Sequence, residues 1–305
     1  MLKDPAPIAL FVYNRPEHTR KVLESLSENF LAESSVLYIF ADGPKIDSGT
    51  EALHQIQEVR RVIKSSLPFR EVKVFEYSEN RGLANSVING INIVFDTYDR
   101  IIVLEDDLRL SPYFLTYMNN ALDLYNSHKE VMHISGYWHP VKNTLPETFF
   151  LRFATSWGWA TWKRSWSAFE PSASKLLCKF TFDKKRVFDF NYTFNFYRML
   201  KKCHNKQNDS WAVRWYATVF LNDGLCLFPN LSYVDNVGHD NSGIHSQATN
   251  VFNNKTLNMN PSLVEIAIVE NGKARRLLEF FFLIAKIRMT PLLIIEKLKK
   301  IKQWF

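Results

Sequence analysis

Three consecutive acidic residues, Glu105, Asp106 and Asp107, follow the apolar run 101–104. Such a run is typical of a buried strand, and three carboxylates at its end need a compensating positive charge. A hard divalent cation takes oxygen ligands, and carboxylates at a strand terminus supply them while leaving positions for substrate phosphates. The alternative is an acidic turn that is simply solvated. The position of the three acids at the end of a buried strand favours the cation site.

The elements that would position this triplet alternate regularly over the first 110 residues. Short apolar segments predict strands at 7–14, 35–43, 72–80 and 100–107. Helical patterns lie between them at 15–29, 50–66 and 82–98, and the first has Pro16 near its start. Apolar strands that alternate with helices predict an α/β protein, with a Rossmann-like, mostly parallel sheet flanked by helices.

Polar residues follow each of the four predicted strands. Ligands of parallel sheets bind beyond the carboxyl ends of the strands, so these residues are expected to share one crevice. The residues at these ends are Asn14, Arg15, Asp42, Gly43, Asn80, Arg81, Gly82, Glu105, Asp106 and Asp107. The sequence therefore predicts a ligand site at this edge of the sheet.

The alternation ends near residue 110. A strand is predicted at 131–138, an aromatic-rich segment at 149–166, basic helices at 176–205 and a helix capped by Gly224 at 211–224. A strand and a glycine-containing loop follow at 225–246. We expect one domain at 1–246 in two halves, 1–110 and 111–246, then a loop or linker at 247–272 and an amphipathic, basic helical tail at 273–305.

Composition and missing motifs exclude several classes of protein. The chain has 305 residues, 46% of them hydrophobic and 23% charged, a globular balance. Neither a GxxxxGK[ST] motif nor a GxGxxG motif after the first strand is present, which excludes a P-loop NTPase and a dinucleotide-binding fingerprint. Three widely spaced cysteines suggest neither a disulfide framework nor a zinc site.

The formal net charge is +7, which favours anionic partners. The basic stretches match no recognised nucleic-acid-binding module, so nucleic acid is not an expected partner. No window reaches the length of apolar sequence that spans a bilayer, and the first residues do not look like a signal peptide. We expect a cytoplasmic protein, with contact to the inner face of the cell membrane as one alternative.

Five segments read FVYNRPEHTRKVLESL, FADGP, NRGLANSVINGI, VLEDDLRLSPYFL and SWGWATWKRSW. Together they resemble nucleotide-sugar-dependent glycosyltransferases of the GT-A fold, which implies a nucleotide-binding half at 1–110 and an acceptor half at 111–246. The likeness is to bacterial family 2-type transferases and to the N-acetylglucosaminyltransferase I group, whose metal motif is also Glu-Asp-Asp. It covers roughly residues 5–246, and the segments occur in the order and spacing of the family.

The resemblance implies a role for each strand-end residue. Asp107 would coordinate Mn²⁺ or Mg²⁺ bridging the donor pyrophosphate, and Glu105 and Asp106 would bind ribose and donor-sugar hydroxyls. Asp42 would accept a hydrogen bond from the base, which favours uracil. The nucleotide edge would be lined by Asn14, Arg15, Asn80, Arg81, Gly82 and Asn85. Turn chemistry before Pro16 is the alternative for Asn14 and Arg15, and a surface charge is the alternative for Arg81.

The catalytic base is expected in the acceptor half. Asp209, just before a Trp-bearing helix, matches the acid-containing segment of the family. The chain departs from the N-acetylglucosaminyltransferase I group at Ser210, where that group has a second Asp, so the register around Asp209 is open by one residue. The alternative role is helix capping, which Asp and Ser both perform.

Two further segments would complete the site. The resemblance places the loop containing Trp157, Gly158 and Trp159 beside the donor sugar and acceptor, and a packed aromatic core is the alternative. His239, in a polar glycine-containing loop, would join Asp107 as a metal ligand. A solvated loop histidine is the alternative.

The tail after residue 272 would lie on anionic lipid, form a helical hairpin against the domain, or pack on a partner.

The function implied is that of a metal-dependent, inverting glycosyltransferase. It would transfer a sugar from a UDP-sugar to a saccharide or lipid-linked saccharide in bacterial surface polysaccharide synthesis. Two rivals use the same residues differently. One is a metal-dependent phosphohydrolase acting on a nucleotide or sugar phosphate, and the other is a non-catalytic sugar-binding module with a Trp-rich groove.

Overall fold

A computed structural model describes residues 4–141, 144–238, 251–252 and 258–302, with side chains in the last helix described as far as Arg288. The first half alternates strands and helices as the pattern predicts. Its elements are β1 (Ile8–Val12), α1 (Pro16–Ser27), β2 (Val36–Ala41), α2 (Thr50–Ile63), β3 (Glu71–Glu76), α3 (Leu83–Phe95) and β4 (Arg100–Glu105).

The buried strands are apolar on both faces because helices cover both sides of the sheet. All five residues of β1 are buried. Ile8 and Leu10 belong to the core cluster on one side of the sheet, and Ala9 and Phe11 to the cluster on the other. This two-sided burial explains why β1 reads as a continuous apolar run rather than as an alternating one.

An eight-stranded sheet forms the centre of the molecule, in the order β3-β2-β1-β4-β8-β6-β9-β7. The strands of its second half are β6 (Val131–Ser135), β7 (Thr148–Leu151), β8 (Trp159–Trp162) and β9 (Leu225–Pro229). The pairs β2–β3, β1–β2, β1–β4 and β6–β9 are parallel, whereas β8 runs antiparallel to β4 and β6 and β7 runs antiparallel to β9. The predicted α/β, mostly parallel and Rossmann-like sheet is confirmed, and it is consistent with a GT-A fold.

A second, two-stranded sheet joins the halves of the chain. The short strands β5 (Leu108–Leu110) and β10 (Val234–Asn236) pair antiparallel, so a segment near residue 235 lies beside the residues that directly follow β4. The helix α4 (Phe114–Leu124) follows β5 and packs Phe114, Leu115 and Met118 into the core. The remote pairing of β5 with β10 positions the candidate site described below.

The basic region after β8 is divided into short helices rather than continuous ones. They are α5 (Lys163–Trp166), α6 (Ala173–Leu177), α7 (Phe182–Phe188) and α8 (Phe196–His204), followed by α9 (Trp211–Leu221). Three consecutive residues after α7, beginning with Phe190, have positive φ. The predicted cap at Gly224 is wrong, because Asp223 is the residue with a left-handed backbone after α9, with φ 53°.

The chain ends in one continuous helix, α10 (Gly272–Lys302), rather than the helical hairpin considered above. Its first turns pack on the domain through Ala274, Leu278, Phe281, Phe282 and Ala285. Just before it, Glu270 forms an isolated parallel bridge with Phe150 of β7. Within the described part of the chain, no helix has both the length and the apolarity needed to cross a membrane.

Candidate active site

The carboxyl ends of β3, β2, β1 and β4 lie side by side, because these strands are parallel neighbours in the sheet. The register aligns Val12 with Ala41, Ala41 with Glu76, and Phe11 with Glu105. The polar segments that follow these strands therefore begin at one edge of the sheet. This is the arrangement that the alternation of strands and helices predicts.

The acidic triplet occupies the end of β4 and the turn after it. Glu105 is the last residue of the strand, whereas Asp106 and Asp107 lie in the turn before β5. Arg15, which precedes α1, forms an ion pair with Asp106, and its Nη2 lies 3.3 Å from Oδ2 of Asp107. The structure thus places the Arg15 guanidinium on two of the three acids, and its predicted contact with a nucleotide stays a prediction.

Burial and mutual repulsion raise the pKa values of two carboxyl groups in this cluster. Burial raises the pKa of Glu105 to about 8, and repulsion from Asp107 and Asp106 acts in the same direction while Arg15 opposes it. Burial also raises the pKa of Asp106 to about 6, against the effect of Arg15. For Arg15, burial disfavours the charged form, but Asp106 and Asp107 outweigh it and its pKa is raised. One guanidinium thus faces more negative charge than it neutralises.

The second half of the chain reaches Asp107 directly. Beyond β10, the backbone N–H of Val237 donates to the carbonyl oxygen of Asp107 at 2.9 Å. Gly238 then packs against the Asp107 side chain so closely that a Cβ at this position would lie 2.7 Å from Asp107 Cβ. A glycine is needed here because any side chain would displace the carboxylate. His239, the predicted second metal ligand, lies outside the described residues.

The carboxylates fit a divalent cation as part of its shell rather than as a complete cage. Among the residues that the structure describes, no group of three or more His, Cys, Asp or Glu side chains is placed to hold a metal ion. Mg²⁺ commonly uses one or two carboxylates and takes its other ligands from water and substrate phosphates. Asp107, whose side chain is 19% exposed, is the acid of the triplet that meets this description best.

Asp42 serves as the acceptor that holds the neighbouring loop. Its Oδ1 accepts from the backbone N–H groups of Gly43 (2.9 Å) and Arg81 (2.8 Å). Its Oδ2 accepts from Gly82 N–H (3.1 Å) and from the Asn80 amide (3.0 Å). A carboxylate has about four acceptor positions, and all four are used within the chain. These four bonds give Asp42 a role in positioning the loop, and its contact with a base stays a prediction.

The loop held by Asp42 presents a cation stacked on an aromatic ring. The guanidinium of Arg81 lies 3.6 Å from the ring centroid of Tyr77, and Asn85 donates to the Arg81 carbonyl at 3.0 Å. Gly82 begins α3 with φ 78°, a conformation that glycine adopts readily. Sequence reasoning missed Tyr77, which it placed inside a strand predicted at 72–80, whereas β3 ends at Glu76. Asn14 is half-buried and makes no hydrogen bond with the described residues.

The aromatic loop divides into one accessible and one buried tryptophan. Trp157 is half-buried and contacts the Tyr137 ring edge-on at 4.6 Å. Trp159 is 0% exposed and stacks on Trp211 at 5.4 Å, inside a cluster with Trp166 and Trp215. This burial favours the packed aromatic core, the alternative stated for this segment, as the role of Trp159.

Gly158 serves packing in this loop. It has φ 61°, and a Cβ there would lie 2.7 Å from Val234 of β10 and 3.2 Å from Phe114 of α4. A larger residue would have to separate β10 from α4. Packing within the protein is thus sufficient to explain a glycine at this position.

An aromatic pocket of about 230 Å³ lies between the Trp157 loop, α8, α9 and α10. Its walls are mostly apolar side chains, with a few hydroxyls and one imidazole. The residues that line it include Trp157, Phe196, Met199, Ser210, Phe282 and His139. The pocket joins the two segments assigned to the acceptor, since Trp157 lies on one wall and Ser210, at the start of α9, on another.

His139 is a buried polar group in this pocket. The residue is 4% exposed and surrounded by the rings of Phe153, Phe281 and Phe282. Its Nδ1 is buried and has no hydrogen-bond partner within the described part of the chain, and burial lowers the pKa of the imidazole to about 3. A neutral imidazole keeps one donor and one acceptor nitrogen, so burial of Nδ1 without a partner is a cost that the surrounding aromatic packing must offset.

Asp209 lies at the rim of the same region. Its side chain is 62% exposed and forms an ion pair of 2.7 Å with Arg214. The next residue, Ser210, caps α9 by accepting from Val213 N–H at 3.3 Å, so the capping role considered for Asp209 belongs to Ser210. Arg214 is itself anchored to the carbonyl oxygens of Ser210 and Pro171. Asp209 is therefore held by a fixed cation and open to solvent, and it makes no hydrogen bond or ion pair with the acidic turn.

No protein-family model and no curated protein sequence matches the chain. Among solved structures, the chain is similar to S. aureus TarS in a crystal structure, with 13% sequence identity and a TM-score of 0.29. The alignment covers 46% of this chain and 23% of that chain, so the chain spans less than a quarter of the length of TarS. A superposition of this quality decides neither fold nor activity. The fold assignment rests on the strand order and register of this chain.

Proposed function

We propose that this chain is a metal-dependent glycosyltransferase that moves a sugar from a UDP-sugar to a saccharide acceptor with inversion. The observation that carries the proposal is the acidic turn Glu105–Asp107 at the carboxyl edge of parallel strands. Ligands of open α/β sheets bind at this edge. Arg15 pairs with two of the three acids, which leaves an excess of carboxylate suited to a cation that binds a diphosphate.

The donor side of the site is assigned as follows. Asp107 would hold Mn²⁺ or Mg²⁺, with His239 as a proposed second ligand, and Glu105 and Asp106 would face the ribose and sugar hydroxyls. When bound, the metal neutralises charge on the departing diphosphate. Asp42 fixes the loop that carries Arg81, whose guanidinium and the Tyr77 ring form a flat surface for the nucleoside. Uracil as the base and surface polysaccharide synthesis as the setting are supported by the family resemblance alone.

The acceptor side requires a base and a surface for the sugar. Asp209 would accept the proton of the acceptor hydroxyl while that oxygen bonds to the anomeric carbon and the bond from this carbon to the diphosphate oxygen breaks. Arg214 orients the Asp209 carboxylate at 2.7 Å. Trp157 offers an indole for stacking on a sugar, and the adjoining aromatic pocket would take an apolar part of the acceptor.

A donor screen tests the proposal. The purified full chain is mixed with a panel of nucleotide sugars with Mn²⁺ or with EDTA, and thermal stabilisation and nucleotide release are followed. We expect metal-dependent stabilisation by a UDP-sugar that Asp107→Asn abolishes. The matched control is Asp47→Asn, an exposed acid in the loop after β2. If no nucleotide sugar stabilises the chain in a metal-dependent way, the proposal fails.

The two rival functions are separated by the same reagents. A two-metal phosphohydrolase needs several carboxylates or histidines around ions about 3.5–4 Å apart. It would hydrolyse nucleotides or sugar phosphates without any acceptor. A sugar-binding module would depend on Trp157 and not on the acidic turn, so Asp107→Asn would leave its sugar binding unchanged. Product analysis by NMR settles the stereochemistry, and retention of the anomeric configuration would exclude single displacement.

A further inference from the structure

The net charge of the chain lies in helix α10. Residues 272–302 contain nine Lys or Arg side chains and two Glu side chains, a net charge of +7. The whole chain has 38 Lys and Arg residues and 31 Asp and Glu residues, which is also +7. The rest of the protein is therefore balanced, with 29 residues of each sign. Helix α10 is thus strongly basic, as is the segment 173–204, and either would be attracted to an anionic surface.

The described part of α10 is apolar on two opposite sides. The inward side packs on the domain through residues that include Leu278 and Phe282. Phe280, Leu283 and Ile287 lie three and four positions apart, so they form one stripe on the other side. These side chains are 62%, 43% and 64% exposed. Because the inward side already provides the packing on the domain, the outer stripe is not explained by folding.

We propose that α10 docks the protein on the surface of a bilayer rich in anionic lipid. Phe280, Leu283 and Ile287 would enter the boundary between headgroups and acyl chains. Exposed basic side chains beside them, among them Arg276 and Arg288, would meet the anionic headgroups, each raising affinity about fivefold. A second copy of the helix is a poorer occupant, because two helices of net charge +7 repel each other.

Docking through α10 would bring the aromatic pocket close to the bilayer. Phe282, on the inward side of the helix, forms part of the pocket wall. An acceptor anchored in the membrane could then place its apolar part in the pocket while its sugar lies toward Trp157. This last step rests on the proposed function and selects a lipid-linked saccharide as the acceptor class. The docking surface itself does not depend on the activity.

Vesicle co-sedimentation of the full chain tests the docking surface. We expect little binding to phosphatidylcholine vesicles and clear binding when about 30% phosphatidylglycerol is added, with affinity falling as salt rises. Changing Phe280, Leu283 and Ile287 together to Ser should weaken binding by more than about tenfold. Arg276→Gln with Arg288→Gln should weaken it by roughly twentyfold. The thermal midpoint should be unchanged in both variants, because the altered side chains are exposed.

The matched control changes three apolar side chains of similar exposure elsewhere. Ile46, Phe182 and Leu231 are exposed and lie outside α10, and their change to Ser should leave vesicle binding intact. Equal loss of binding in the control and the α10 variant would overturn the proposal, as would wild-type protein that binds neither kind of vesicle. A wild-type dimer that the α10 variant converts to monomer would also overturn it, in favour of a second copy as the occupant. Donor-dependent nucleotide release is measured without vesicles, so failure of docking and failure of the transferase proposal remain distinguishable.

Discussion

Replacing Asp42 with Asn separates a loop-positioning role from direct recognition of a base. The Asp42 carboxylate accepts four hydrogen bonds, two at each oxygen. An Asn side chain can keep one oxygen facing Gly43 and Arg81, but its NH₂ group would then face two donors, Gly82 N–H and the Asn80 amide. Asp42→Asn therefore removes the two charge-assisted hydrogen bonds at one oxygen. It also places the Asn NH₂ group against two other donors.

The size of the effect follows from these contacts. A hydrogen bond to a charged group contributes about 1.5–3 kcal/mol, so two lost bonds correspond to about 3–6 kcal/mol in a buried setting. Asn80 and Gly82 are only half-buried, and water can replace part of the loss. We expect the free energy of unfolding to fall by about 2–4 kcal/mol. The melting temperature should fall by about 1.5–2 °C for each kcal/mol.

Two measurements decide between the roles. Urea unfolding gives the stability change, with Asp47→Asn, in the same loop but exposed, as the control for loss of charge. Titration with UDP, GDP and ADP in the presence of Mn²⁺ gives the effect on nucleotide affinity. A positioning role predicts weaker binding of all three nucleotides by a similar factor. Loss confined to UDP, with stability unchanged, would refute the reasoning and return Asp42 to base recognition.

Three further predictions follow from the site. Asp209→Asn should keep metal-dependent donor binding while transfer falls about 10²–10⁴-fold. Asp223→Asn, which alters another exposed Asp paired with an Arg, is its control, and equal rates in the two variants would remove Asp209 from the mechanism. Gly238→Ala should weaken Mn²⁺-dependent stabilisation about tenfold, because its Cβ would displace Asp107, whereas Gly49→Ala meets open space and should have no effect. Burial lowers the pKa of His139 to about 3 from 6.5, so the unfolded chain binds more protons and stability is lost as pH falls from 6.5 toward 3. His139→Phe should reduce that acid slope, measured by urea unfolding between pH 6 and 4, by about 1.4 kcal/mol per pH unit, and an unchanged slope would show that His139 does not titrate in this way.

The first half of the fold was predictable because its signals are local. Strands buried on both faces, such as β1 and β2, read as continuous apolar runs, and the helices between them show one buried side. Right-handed crossovers then place the strand ends at one edge of the sheet. The acidic turn could be located in this way from the sequence, since its position depends only on where β4 ends.

The partners of the site residues were not predictable, because they depend on contacts between distant elements. Trp159 is buried because β8 enters the sheet antiparallel between β4 and β6, which an aromatic-rich segment does not reveal. Asp42 is saturated because the loop after β3 folds back over it. Gly158 is constrained by β10, a strand that begins 76 residues later. Residue types at these positions were informative about polarity and size but not about what they touch.

The geometry of the acidic turn ranks its three carboxylates independently of any family likeness. Arg15 pairs most closely with Asp106, whose side chain is only 6% exposed, so that carboxylate already has its counterion. Glu105 has no ion pair among the described residues, and burial raises its pKa to about 8, which disfavours it as a charged ligand near neutral pH. Asp107 is more exposed and more loosely held, at 3.3 Å from Arg15. Asp107 can therefore exchange Arg15 for a cation at a lower cost in free energy than Asp106 can. Gly238, from the second half of the chain, packs against this same side chain. These contacts favour Asp107 as the acid on which a cation from solvent would bind.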